Sequence, residues 1–455
     1  MLPFKVKMTT ALIIFTLFYT TAAFWRLPCP RQIGIARVDP LVAAGAISEH
    51  AHTIHGGNNF GVNATSDDLL ASNCTSCAID KDRSVYWTPF LYFQHANGTF
   101  ERVTQVGGML AYYFNNNGAP GEKITAFPKG FSMISGDSRQ RNFTLPTPVP
   151  EKSAWKAEDM TQLALAQKSL GFNCLHYSNG DEEALARYSL PDKSFIDTCY
   201  SGLRLEVQFP SCWNGRDLDS KNHKDHVKFP NLLKTGECPE GFNVRLPVLF
   251  YETVYAVADF IKYDGQYVLS NGDPTGYGYH GDFINGWDVD FLQEALDTCT
   301  SEGMGEVEDC PVFAGHINRD APDDCKFDLP PKIAGERCTG LLDSLPGKVV
   351  VHPGPQYAPL PKAEPLDDST LPADPVVGPP LPSAAMAPAP ESPAVFTTTY
   401  PVATSTYMED GKEVALVVVQ EDVIMPKTVY VAVPSPPGRK RHMHRHGHGG
   451  SRFAA

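Results

Sequence analysis

Leu203, Leu205, Val207 and Phe209 alternate with Arg204, Glu206 and Gln208, the period of a half-buried strand. Such a strand must lay its apolar edge against a second layer, which commits the chain to a layered β architecture. Pro210 ends the alternation, because proline offers no donor to a ladder. From there to Pro230 the chain carries Cys212, Trp213, Asn214, Arg216, Asp217, Asp219, His223, Asp225 and His226 with few apolar residues between them. A strand that empties into a loop this dense in indole, carboxylate and imidazole is a common way to build a binding or catalytic rim.

The rest of the chain repeats the theme. Val85–Phe93, Met109–Phe114, Phe242–Phe250, Thr253–Phe260 and Gln266–Leu269 read as short strands between Gly- and Pro-rich turns. Helical spacing appears over Ala157–Leu170 and over Asp288–Cys299, where Asp288 can cap the first turn. The expected fold is mainly β, a sandwich or jelly roll with a few short helices, followed by a disordered C-terminal tail.

Residues 1–23 have the form of a secretory signal, with Lys5 and Lys7 ahead of an apolar run, Ala11–Thr20, too short to span a membrane. Residues 24–340 form the expected globular domain. Residues 341–455 form a Pro-rich tail whose Val414–Val419 and Val429–Val433 can pair at most as an isolated hairpin, and whose end, Arg439–Gly450, is rich in His and Arg.

A secreted chain keeps its cysteines oxidised, so most of the 11 should be paired, with an odd one left over. Cys299 with Cys310, and Cys325 with Cys338, are the expected local pairs; Cys74 and Cys77 form either one short bridge or two separate ones. Asn63, Asn73, Asn97 and Asn142 stand in glycan-acceptor sequences. A net charge of −14 argues against nucleic acid as a partner, and against polyanionic substrates unless the site is locally basic.

Four polar clusters are candidates for chemistry: His50–Asn58, Gly136–Arg141, the stretch beyond Phe209, and Asp273–Asp288. On a strand, His50 and His52 share a face. Sugars need aromatic faces and bidentate polar groups, and Trp213, Trp287 and Tyr277 with Asn214, Arg216 and Arg139 are candidate substrate-binding residues. Asp217, His226, His280 and Asp282 are the candidate proton carriers of a hydrolase or lyase. A divalent metal is the candidate cofactor, with His52, His55 and His223 as ligands, although no HExxH pattern supports it.

FWRLPCPRQIGIARVDPLV, HAHTIHGGNNFG, CTSCAIDKDRSVYWTPFLYF, GGMLAYYF, GFSMISGDSRQR, GDPTGYGYHGDFINGWD and the whole of Leu203–Pro230 resemble a domain-of-unknown-function family of secreted fungal proteins. Some members carry a WSC-type carbohydrate-binding module, which is missing here. The resemblance implies an extracellular or wall-associated protein and supplies no catalytic residue. The expected function is action on, or binding to, cell-wall or plant polysaccharide. The alternatives are a non-catalytic wall protein and a metal-dependent extracellular enzyme.

Overall fold

The computed structural model describes residues 24–115, 118–119, 121–146, 149–177, 180, 182–300, 305–318, 324–359, 362–366, 396–409 and 412–424. The signal-like segment, residues 367–395, Val429–Val433 and the His/Arg-rich end lie outside these residues. The chain divides into two units, one reaching Pro372 and one following it.

Two five-stranded antiparallel sheets form the first unit's sandwich. One runs in the order Phe24–Cys29, Gln105–Phe114, Val248–Tyr255, Leu203–Gln208, Leu170–Cys174. The other runs Gly34–Ala36, His52–Gly56, Val85–Pro89, His280–Ile284, Ser132–Gly136. Their inner faces meet through aromatic rings. Tyr251 of the first sheet packs edge-on against Tyr86 of the second and donates to the backbone oxygen of Asp282 at 3.1 Å. In the first sheet Phe24–Cys29 has every second residue buried, whereas Leu170–Cys174 is buried throughout and Leu203–Gln208 leaves only Arg204 partly exposed, so the expected half-buried strand is nearly fully covered. In the second sheet His52–Gly56, Val85–Pro89 and His280–Ile284 are buried at every position. A second apolar cluster, including Val38, Ile54, Trp87, Ile284 and Phe327, covers its outer face. That sheet is therefore the middle layer, and any polar side chain on it is buried whichever way it points.

Several expected strands are cut differently. The run read as Val85–Phe93 divides at Phe90 into Val85–Pro89 and Leu91–His95, which join different sheets. Pro89 has no N–H with which to continue its ladder. Val248–Tyr255 is one strand, after which Val257–Phe260 turns as a 3₁₀ helix. The expected helix over 157–170 becomes a 3₁₀ turn, Ala157–Met160, and a helix, Gln162–Lys168, capped by the Thr161 hydroxyl. Asp288 caps Val289–Thr298 through the Phe291 N–H, as its position implies. In the second unit, Phe396–Glu409 pairs with Lys412–Ile424, so Val414–Val419 finds its partner upstream.

The folded unit continues past Gly340. Leu341–Leu342 adds to an edge strand at Phe100–Glu101, and Glu364–Pro365 pairs with Ala46–Ile47. A Pro-rich chain remains ordered here because its few donors are taken up by the sandwich, as in His352 N–H to Gly272 and Ala358 N–H to Arg139.

Five disulfides staple the domain: Cys29–Cys77, Cys74–Cys325, Cys174–Cys199, Cys212–Cys238 and Cys299–Cys310. Cys74 and Cys77 thus serve separate bridges. The expected Cys325–Cys338 pair is not formed: Cys325 closes on distant Cys74, and Cys338 is a buried free thiol. Spacing alone could not reveal that the chain returns to Cys74 across the outer face of the second sheet.

Candidate metal centre

The middle sheet places three imidazoles together. His52 and Ile54 point to its outer face, as do Trp87, Asp282 and Ile284. Register pairs His52 with Pro89 and Asp282 with Trp87, which sets His280 level with Pro89 on the far side of the same strand. Two strand spacings separate the two histidines by roughly 10 Å at the backbone. Pro89 between them presents only its own pinned ring, and the imidazoles meet over it with centroids 5.8 Å apart. His50, at the entry to the strand, packs its ring 4.3 Å from that of His52 and 5.1 Å from that of His280. Gly136, paired with His280, is held at φ 90°; a Cβ there would sit 2.4 Å from the Tyr279 carbonyl oxygen, so only glycine allows this approach.

One ring nitrogen from each of His50, His52 and His280 lies within 4.8 Å of the others. The Nε2 atoms of His50 and His280 are 3.2 Å apart. Two nitrogens bound to one zinc-sized ion at tetrahedral angles stand about 3.3 Å apart. His280 Nδ1 is 2.9 Å from the Gly278 carbonyl, an arrangement that places the proton on Nδ1 and frees Nε2 as a ligand. Neither nitrogen of His52 makes a hydrogen bond of good geometry, although the Val38 backbone stands near enough to favour the protonated ring. Asp282 stands beside them, fully buried, with both carboxylate oxygens unpartnered and Oδ2 3.9 Å from His280 Nε2. Leaving a buried polar group without a partner costs about 1–3 kcal/mol. Here one imidazole and one carboxylate bear that cost side by side, which is what a site built for a further ligand looks like.

Electrostatics agree. Burial lowers the pKa of His50 and His52 well below the ordinary range, and that of His280 to about 4, so all three rings are neutral at ordinary pH. Burial pushes Asp282 well above its usual value, with the nearby Asp39 and Glu49 carboxylates adding to the effect. Asp39 itself is raised to about 6, again by burial. Neutral imidazoles and a crowd of carboxyl groups that resist ionising are the donor set a divalent cation would satisfy.

The centre opens on a cleft of about 330 Å³ lined by Asp39, Glu49, His50, Asp137, His223, Lys224, His280 and Asp282. His223 and Lys224 come from the loop after Phe209, so that loop and the Asp273–Asp288 stretch do converge. His223 has φ 57°, unusual for a residue with a Cβ, and Asp219 holds its Nδ1 at 2.9 Å.

The other expected site residues stand elsewhere. His55 lies on the opposite face of the same strand, its Nδ1 2.9 Å from the Arg31 carbonyl. A one-residue step in a strand reverses direction, so His55 cannot join His52. His226 is buried with both nitrogens engaged, by Ser220 Oγ at 3.0 Å and the Ser132 carbonyl at 2.8 Å. Asp217 accepts from Asn214 and Arg216 at the surface, and Trp213 donates its N–H to the Asp217 carbonyl. Trp287 is a core residue whose indole donates to Tyr113 Oη at 2.9 Å, at one end of a buried chain through Tyr86 to Asp82. Tyr277 lines a different trough with Phe143 and Tyr188. Arg139 lies in a cleft adjoining His50. His50, Asp39, Glu49 and Lys224 were not singled out as site residues from sequence. The alternation that places His50 and His52 on one face was the only available signal for any of them.

Fold and centre together define an antiparallel β-sandwich with a buried three-histidine, one-carboxylate cluster at the mouth of a polar cleft. The chain belongs to the family described as a domain of unknown function (DUF1996), whose model matches residues 39–287. Every residue of the cluster falls within that span. No curated protein matches the chain, and no solved structure does.

Proposed function

We propose that this protein is an extracellular metal-dependent enzyme, a hydrolase or lyase of cell-wall or plant polysaccharide, with His50, His52 and His280 as the metal ligands. The observation that carries the reading is the trio of buried neutral imidazoles beside an unpartnered Asp282. A divalent cation bound there would supply an acidified water or polarise a substrate oxygen. The surrounding residues define what the protein itself contributes. The Gly278 carbonyl fixes the His280 tautomer. Asp282, reluctant to ionise, is placed to hold or release a proton at its Oδ2. His223 and Lys224 line the mouth, where a substrate would enter. Extracellular placement is supported by five disulfides and by the lack, among the described residues, of any helix able to cross a membrane.

The test is elemental analysis of full-length protein purified without metal-affinity steps, beside His52→Ala. The difference between the two discounts any ions held by the His-rich end. One extra equivalent of zinc, copper or manganese in the wild type is expected, with release of reducing ends or unsaturated uronates from glucan, chitin or pectin that chelation stops. Equal metal content in the two proteins would sink the reading.

A second reading, non-catalytic attachment to the wall, draws on a trough of about 830 Å³ lined by Phe143, Trp155, Arg187, Tyr188 and Tyr277. Phe143 stacks nearly parallel to both Tyr188 and Tyr277, at 5.7 and 5.9 Å. Such rings suit the apolar faces of sugars. This reading predicts retention on insoluble polysaccharide with no product.

A further inference from the structure

A second cleft, of about 230 Å³, adjoins the first and shares Glu49, His50 and Ser138 with it. Its walls carry Arg37, Arg139, Arg141, Lys348 and Lys362. Two of these cations are already neutralised. Arg37 is clamped by Glu336 and Glu364, both at 2.9 Å. Arg141 is buried, facing Asp273 at 3.5 Å and donating to the carbonyls of Ser138, Gln140 and Asn271. Arg139, Lys348 and Lys362 make no ion pair among the described residues. Arg139 is held rather than loose: its Nε donates to the Ala358 carbonyl at 3.0 Å and its guanidinium lies over the Tyr357 ring. Lys348 has φ 54°, directly after Gly347 at φ 70°.

In a chain of net charge −14, three uncompensated cations gathered at one cleft are a local reversal of sign. Of the two carboxylates on the same wall, Glu364 is spent on Arg37, which leaves Glu49 alone against the three cations.

We propose that this cleft binds an oxyanion group of the substrate (carboxylate, sulfate or phosphate ester) and holds it next to His50, so that the enzyme acts on an acidic saccharide chain. The inference rests on the metal-centre reading for its chemistry, but not for its binding. Arg139 would supply a planar fork for the oxyanion, and Lys348 and Lys362 two point charges. The segment carrying both lysines is the Pro-rich stretch beyond Gly340, so this part of the chain would select the substrate.

The test is calorimetric binding to the full chain at low and moderate salt. The probes are a galacturonate trisaccharide, a sulfated and a phosphorylated trisaccharide, and a neutral trisaccharide of equal length. At least one acidic probe should bind ten-fold or more tighter than the neutral one, with affinity falling as salt rises. Arg139→Glu with Lys348→Glu should lower that affinity about ten- to a hundred-fold, because each substitution removes an ion-pair contact and puts a like charge in its place. Metal content and melting midpoint should stay at wild-type values. Equal binding of acidic and neutral probes, or unchanged affinity in the double variant, would overturn the proposal. So would binding of inorganic sulfate or phosphate without any acidic saccharide. His52→Ala separates the two readings: it should lose metal and turnover while binding the acidic probe as before. A wild-type protein that holds no metal yet binds that probe would sink the enzyme and leave the anion cleft standing.

Discussion

Two regions of this protein are rich in histidine and aspartate, and they partner those residues in different ways. In the loop from Trp213 to His226 almost every polar group is satisfied by its own neighbourhood. Asn214 Oδ1 accepts from the backbone of Arg216 and Asp217, Ser220 Oγ accepts from Lys224 and Asp225, and both nitrogens of His226 are bonded. These are the Asx- and Ser-type turns that shape a long loop. In the cluster on the middle sheet, the side chains of His52 and Asp282 make no hydrogen bond of good geometry, although burial makes that costly. Composition cannot tell the regions apart. Satisfaction can: a polar group that has spent its hydrogen bonds on the fold is accounted for, and one buried without any calls for an explanation, which for His52 and Asp282 is the ligand proposed above.

The sharpest way to break this comparison is to truncate one histidine from each region. His52→Ala should abolish metal binding and lower turnover by more than about a hundred-fold, because loss of a ligand exceeds the ten- to hundred-fold typical of groups behind one. His226→Ala should leave metal content intact and cost about 1–3 kcal/mol in urea unfolding, the penalty for stranding the Ser132 carbonyl and Ser220. Loss of metal in the second variant, or retention in the first, would reverse the assignments.

Asp282→Asn sharpens the contrast in a smaller measurement. A ligand at a hundred times its dissociation constant stabilises by about 2.7 kcal/mol. Wild type should therefore melt several degrees higher with metal than with chelator. The variant should show a reduced metal-dependent rise while melting no lower than wild type in chelator, since it removes an acid that the fold itself does not use.

A third test lies away from both regions. Burial raises Glu206 from its ordinary value near 4.5 to about 7, with Arg204 pulling the other way, and raises Asp82 from 3.8 to about 6. In both cases the folded state holds the proton more tightly than the unfolded chain. Stability is therefore greatest below the unfolded values and falls as pH rises, through about 4 to 6 for Asp82 and 4.5 to 7 for Glu206. The Glu206 share is on the order of 3–4 kcal/mol. Glu206→Gln should flatten the decline in urea midpoint between pH 4.5 and 7; an unchanged slope would remove Glu206 as its source. The smallest effect belongs to the loop. Arg216→Ala deletes an exposed pair with Asp217 and should change neither metal content nor the unfolding midpoint measurably.

Much of the scaffold was legible in advance. The strand at Leu203–Gln208 and the cap at Asp288 form where residue chemistry says they should. The centre was only half legible. His52, His280 and Asp282 stood out as residue types, and alternation set His50 with His52 and apart from His55, but nothing local distinguished His226 from them. His226 was as polar in sequence as His280, and only the carbonyl of Ser132, nearly a hundred residues earlier, shows that its ring is already committed.

Local sequence settled what adjacent residues settle among themselves: the period-2 strands, the turns at Gly and Pro, the caps, and the oxidising chemistry implied by the cysteines. Those rest on interactions within a few residues of chain. Which sheet lies in the middle, which cysteine is left over, and which three histidines meet across Pro89 depend on register between strands far apart in sequence. There a shift of one residue turns every side chain to the other face, so only the assembled sandwich could decide them.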